Sequence, residues 1–196
     1  MLAKISQYIV GWQINKGILR EEERAVYQYG YELLLNQVIN ILIAVLIAIA
    51  FKSPGAVFIF LLSYIPLRSF CGGYHAGTNL TCTIVSAFIL CGVCLVTGYV
   101  QESPLLNWYP ITFVVSGYFI LRYAPVADRN KPLEVIETMK YRSRSRIIWG
   151  IQTVIGILLY PLWQKYGVVI AISHLVLLFM LCLGIRKSTV SLSGNR

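Results

Sequence analysis

His75 and Cys82 stand seven residues apart in the stretch RSFCGGYHAGTNLTC, which runs from Arg68 to Cys82 and opens onto an apolar run. A cysteine with a histidine in reach is the minimal equipment for nucleophilic catalysis. The thiolate attacks a carbonyl, and the imidazole takes the thiol proton and later returns it to a leaving amine. On one continuous helix the two residues would share a face yet stand roughly 10 Å apart along the axis, so the chain must bend between them. Gly72, Gly73 and Gly77 permit backbone conformations closed to other residues, and Thr78 or Asn79 can cap the helix that follows. Cys82 then falls in the first turn of that helix. Unpaired N–H groups and the positive end of the dipole there favour thiolate over thiol, as would a nearby His75 or Arg68. The bland alternative is a cysteine serving as a small buried hydrophobe and a loop histidine resting at the headgroup boundary; spacing alone does not separate the two.

Among the other thiols, Cys71 is the nearest competitor for nucleophile, but it follows an aromatic residue and lacks the helix-start position. Cys91 and Cys94 form a CxxC inside an apolar run; no second ligand pair accompanies them, so packing is expected rather than zinc or redox work. With five cysteines in all and no long extracellular loop to hold a disulfide framework, reduced thiols are expected. His174, inside the last apolar run, reads as a hydrogen-bonded bundle residue that could also support a polar channel.

The elements that must position these groups are set by hydropathy. Of 196 residues 57% are hydrophobic and only 13% charged, too much apolar surface for a water-soluble domain of this size. The expected fold is all-α: a polytopic integral membrane protein of about six transmembrane helices, with an N-terminal amphipathic helix lying in the interface. Leu2, Ile5, Ile9 and Trp12 recur at helical spacing between polar residues, which is the interfacial pattern. No secretory signal peptide is expected over residues 2 to 19. Glu21 to Glu23 favour the first turn of a new helix, running into a span at about Tyr31 to Phe51. Further spans are expected at Pro54 to Leu67, Cys82 to Val100, Leu105 to Leu121, Ile147 to Trp163 and Val168 to Ile185. The second is short enough to be re-entrant instead. If all six cross and the N-terminus is cytoplasmic, 15 of the 17 Lys and Arg residues fall on the cytoplasmic side and only Lys52 and Lys165 on the other. That bias favours the six-span arrangement, and it places both termini and the Arg68 to Thr81 segment in the cytoplasm. One membrane-embedded domain over 1–196 is expected, with an amphipathic, cytoplasmic N-terminal region (1–30), the bundle (31–185) and a polar C-terminal tail (186–196), disordered from Ser188.

Two polar features stand out against this background. Glu32, Asn36 and Asn40 follow one another at four-residue spacing within the first span and form a stripe expected to face the bundle interior. It either hydrogen-bonds neighbouring helices or, through Glu32, orients His75 as a third catalytic member. Between Arg122 and Arg146 seven basic residues accompany Asp128, Glu134 and Glu137. This reads as a positive cytoplasmic loop, serving topology and anionic lipid or docking an acidic peptide. The net charge of +9 is thus a matter of topology, and no nucleic acid is expected as a partner.

Arg68, the Gly72–Gly73 pair, His75–Ala76 and Cys82, together with Ala124-Pro125-Val126 and Asn130-Lys131-Pro132-Leu133, resemble the signature of the accessory gene regulator B (AgrB) family of bacterial membrane peptidases, and the order of apolar spans agrees along nearly the whole chain. The resemblance implies a cysteine endopeptidase of the bacterial cytoplasmic membrane that removes the C-terminal tail of a small AgrD-like pro-peptide, leading to a cyclic thiolactone or lactone quorum-sensing signal. It implies Cys82 as nucleophile and His75 as general base and acid; Glu32 is the candidate orienter on the spacing of the stripe alone. Candidate substrate contacts are Arg68, Gly72, Gly73, Asn36 and Lys131. Homodimerisation is likewise implied; no metal or organic cofactor is needed. The rival from another class is a small peptide exporter or permease in which the polar stripe and His174 line a pathway.

Overall fold

The computed structural model describes residues 2–73, 78–100, 109–126 and 134–193. Among them there is no strand, and helices account for nearly everything, so the all-α expectation holds. Four helices are long and apolar enough to cross a membrane: Glu21–Ala50, Pro54–Cys71, Leu80–Tyr99 and Val135–Arg186.

Helix α1 (Leu2–Asn15) ends in a Schellman motif: Gly17 adopts φ 70°, its N–H reaches Ile14 O at 2.9 Å, and the Ile18 N–H reaches Gln13 O at 3.0 Å. Glycine takes this left-handed position without steric cost, and the returning amides satisfy carbonyls that the helix end leaves open. α1 packs on α2 (Arg24–Ala50) through Ser6 and Val10, both fully buried, while Ile5 and Trp12 stay exposed. Of the expected apolar stripe, Ile5 and Trp12 are thus turned away from the bundle, while Leu2 and Ile9 are partly buried.

α2 is entered through a 3-10 turn over Glu21–Glu23, held by paired contacts from Arg24 to Glu21. Only 17% of its apolar window is buried within the protein; Leu42, Leu46 and Ile49 are more than half exposed. Such a surface is stable only where the surrounding solvent is hydrocarbon. A tight turn over Phe51–Ser53, with Lys52 at φ 50°, leads to α3 (Pro54–Cys71), whose proline stands in the first turn, where its missing N–H costs nothing. At 18 residues, α3 exceeds the segment expected from hydropathy and is long enough to cross. α4 spans Asn79–Val100 and α5 Tyr109–Tyr123. The expected start of the fourth span, Leu105, lies outside the described residues.

α6 (Val135–Ser193) is broken at Trp163, where φ −142° and ψ 72° are non-helical. Two observations make it a hairpin. A Cβ on Gly167 would stand 2.8 Å from Gly156 O, and His174 is hydrogen-bonded to Gln152; on a straight helix those pairs would be roughly 16 and 33 Å apart. Two expectations are corrected here. The basic stretch expected as a loop as far as Arg146 is helical from Val135, so Lys140, Arg142, Arg144 and Arg146 ride on the first limb of α6. The tail expected from Ser188 is helical through Ser193.

α3 is the central element and shares its largest interface with α6. On one side Val57 and Phe60 join Ala44 and Ala48 of α2, Leu90 and Val93 of α4, and Val169 of α6. Near its C-terminal end Leu67 and Cys71 pack with Ile120 and with Leu177 and Leu181. The small alanines on α2 allow close backbone approach, the usual solution where apolar packing rather than water drives association.

Candidate functional site

The end of α3, the start of α4 and the segment after α5 meet at one corner of the bundle. Gly72 caps α3 with φ 71° and ψ −146°, a region essentially confined to glycine. It forms a parallel bridge with Val126, and the Val126 N–H donates to Cys71 O at 2.9 Å. Gly73, at φ 114°, lies so close to the last limb of α6 that an added Cβ would stand 2.9 Å from Met180 O and 3.3 Å from Arg68 Nη1. The Arg68 guanidinium folds back to donate to Gly72 O, and the Tyr64 hydroxyl, one turn earlier on the same face of α3, lies within its electrostatic reach. Arg68, Gly72 and Gly73 thus form one unit that turns the chain out of α3.

Thr78 caps α4, its Oγ1 accepting from Thr81 N at 3.2 Å. The Cys82 N–H, in the first turn, is bonded to Thr78 O at 3.1 Å. The Cys82 thiol is free and half-buried, and it is near enough to the Tyr64 hydroxyl for the two to interact electrostatically. Cys71, by contrast, is fully buried in the cluster with Leu67 and Ile120, where no substrate reaches it. Cys94 packs in the core between α3 and α4. His75 and Lys131 lie outside the described residues.

The stripe on α2 reaches two neighbouring helices, α1 and α4. Glu32 Oε1 lies 3.2 Å from Ser6 Oγ of α1 and accepts from Gln28 Nε2 at 3.3 Å. Asn36 Oδ1 accepts from Thr83 Oγ1 at 3.4 Å, next in sequence to Cys82. Asn40 Oδ1 is buried without a protein partner. The stripe therefore faces inward, and Asn36 ties it to the helix bearing the candidate nucleophile. Glu32→Gln keeps an acceptor for Ser6 but removes the charge. If Glu32 orients an imidazole, this variant should lower peptide turnover about tenfold or more, with α1 still docked as judged by limited proteolysis; unchanged turnover would assign Glu32 to the α1 contact alone.

The basic limb of α6 braces the same corner. Phe70 meets the Tyr141 ring edge-on, with centroids 5.5 Å apart, and carries the Arg144 guanidinium 5.3 Å above its face. Arg146 Nη2 donates to Leu121 O at 3.0 Å. These contacts, and Tyr64, were invisible to pattern reading, because each joins residues far apart in sequence or hides an ordinary aromatic in an apolar run. His174 is the hydrogen-bonded bundle residue expected: fully buried, it meets Ser116 and Gln152 through its two ring nitrogens.

This corner sets a free thiol at the start of one helix and a guanidinium-pinned glycine turn at the end of the helix before it. The family model for accessory gene regulator B matches residues 2–183. An AgrB-like protein of Clostridium perfringens strain 13 is 26% identical over 173 residues, covering 82% of this chain and 79% of the relative. A further AgrB-like protein, from Lactiplantibacillus plantarum, is 24% identical and covers 92% and 88%. Accessory gene regulator protein B of Staphylococcus intermedius is 24% identical and covers 74% and 68%. No solved structure matches the chain. With the matched span taking in every described helix of the bundle and the glycine turn before Cys82, the chain belongs to the accessory gene regulator B family.

Proposed function

We propose that this protein is a membrane cysteine endopeptidase that removes the C-terminal tail of a small AgrD-like pro-peptide. The observation that carries the reading is the half-buried, unpaired Cys82 thiol in the first turn of α4, set against Tyr64 and the Arg68 turn, in a chain of this family. Cys82 as thiolate attacks the scissile carbonyl; the C–N bond breaks, and the tail leaves as an amine that takes its proton from His75. The rest of the peptide stays on Cys82 as a thioester. Attack by an internal thiol or hydroxyl of that peptide frees Cys82 and closes a thiolactone or lactone. Thiol attack exchanges one thioester for another, so ring closure has little to climb, and a sheltered membrane-edge site keeps water from hydrolysing the acyl group.

The same reading puts the protein in the bacterial cytoplasmic membrane, with the site and both termini on the cytoplasmic side, because that arrangement collects nearly all Lys and Arg there. Arg68, Gly72, Gly73, Asn36 and Lys131 are its candidate substrate contacts, and a homodimer its candidate assembly. The test is reconstitution in proteoliposomes with the pro-peptide encoded beside the gene, followed by mass spectrometry. Cleavage with a peptide adduct on Cys82 is the expected result; cleavage that persists in Cys82→Ala would overturn the mechanism and favour a transport role.

A further inference from the structure

Four helices meet around one imidazole in the middle of the bundle. His174, on the second limb of α6, is fully buried. Its Nδ1 lies 3.2 Å from Ser116 Oγ of α5 and its Nε2 lies 3.0 Å from Gln152 Oε1 on the first limb of α6. Gln152 Nε2 in turn donates to the backbone carbonyl of Ser63 in α3 at 2.9 Å. The direction of this chain is fixed by its last link. Because the Gln152 amide nitrogen serves Ser63 O, its oxygen is the atom facing His174, so His174 Nε2 must carry the proton and donate. Nδ1 is then left as an acceptor 3.2 Å from the Ser116 hydroxyl, whose one proton also has the Phe113 carbonyl within reach at 3.1 Å. The Phe113 ring closes the site edge-on, 5.1 Å from the imidazole.

The carbonyl that receives this chain belongs to the one turn of α3 that cannot hold itself. Pro66 is inside the helix; it has no N–H for the Leu62 carbonyl, and its ring crowds the preceding turn, so α3 can bend between Leu62 and Pro66. Everything beyond that turn is site: Arg68, Cys71 O holding Val126, and Gly72 and Gly73 against Val126 and Met180. His174 and Met180 lie on the same limb of α6, less than two turns apart. A link from His174 to Ser63 therefore sets the register in which Gly73 meets Met180 and Arg68 reaches Gly72. We propose that His174, through Gln152, is a positioning residue that clamps the Pro66 turn of α3 and thereby fixes the Arg68–Gly73 turn at the end of that helix. The proposal takes the peptidase reading as its frame for activity, but the clamp itself is a property of the fold.

The test compares His174→Leu, His174→Gln, Gln152→Met and Ser116→Ala with wild type in proteoliposomes. Two quantities are read: kcat and KM for the pro-peptide encoded beside the gene, and the rate at which N-ethylmaleimide alkylates Cys82, followed by mass spectrometry. A displaced α3 end should lower kcat by about tenfold or more in His174→Leu and Gln152→Met while KM moves by less than about twofold. The alkylation rate should change several-fold in the same two variants. His174→Gln can still donate an N–H toward Gln152 and is expected to recover most of both. Ser116→Ala leaves the α3 link intact and should behave as wild type. Wild-type kcat and alkylation in Gln152→Met would overturn the clamp, and so would a Ser116→Ala defect as large as that of Gln152→Met. Alkylation needs no peptide turnover, so an inactive wild type would count against the peptidase reading while the clamp was still decided by the second measurement.

Discussion

Cys82→Ser is expected to bind pro-peptide yet lose turnover by about three orders of magnitude or more, and His75→Ala to lose a comparable amount. The reasoning starts from the nucleophile. A thiol is a few pH units from ionisation in water and needs only modest help from a base, whereas a serine hydroxyl is far weaker and needs a base held in register throughout the step. If His75 and Cys82 act as one unit, removing the second after the first costs little more. The double variant Cys82→Ser with His75→Ala should then match the worse single variant, whereas independent roles would multiply the two losses. Single-turnover cleavage followed by mass spectrometry measures all four proteins. Multiplicative losses, or a Cys82→Ser enzyme within tenfold of wild type, would remove the pairing.

How far the sequence carried this site depends on the range of the interactions involved. Apolar runs disclose helices because each helix satisfies its own backbone, so Arg24–Ala50, Pro54–Cys71 and Asn79–Val100 lie within a few residues of where hydropathy puts them. The same rule failed for the first limb of α6. Val135 to Arg146 is helical but rich in charge, and a reading keyed to lipid contact began the helix only at Ile147. The break at Trp163 falls in the gap that hydropathy leaves between two apolar runs, and Pro161 with the glycines at 156 and 167 accounts for it: an interrupted ladder followed by close backbone approach. At the site, the motif from Arg68 to Cys82 and the cap at Thr78 are local and were legible. The Gly72–Val126 bridge and the chain from His174 to Ser63 were not, since they join residues 54 and 111 positions apart. Within a single sequence nothing marks Gln152 or Ser63 as partners of His174, and only the folded hairpin of α6 brings them together.

Gly72→Ala should be the most damaging small substitution outside the proposed pair of His75 and Cys82. At φ 71° and ψ −146° an L-residue is strained by about 1–3 kcal/mol before any contact is considered. Here contact adds to strain, because a Cβ at Gly72 would run into the backbone carbonyl of Val126. A side chain could rotate away, but this carbonyl cannot move without opening the bridge and the Val126–Cys71 hydrogen bond. The chain must then release the 124–126 segment from the end of α3, and with it the turn that Arg68 secures. A loss of about 3 kcal/mol or more is expected, read as a lower melting temperature in detergent, with pro-peptide cleavage falling by at least about tenfold. Gly98→Ala supplies the comparison. That glycine is exposed on α4 with nothing within 4 Å of an added Cβ, so the methyl should be neutral or stabilise the helix by up to about 1 kcal/mol. Gly73→Ala should fall between them, since its φ of 114° is also unfavourable but its nearest obstacle, Met180 O, stands at 2.9 Å. Equal tolerance of alanine at 72 and 98 would mean that α3 does not end in this turn and that the corner facing Cys82 is built differently.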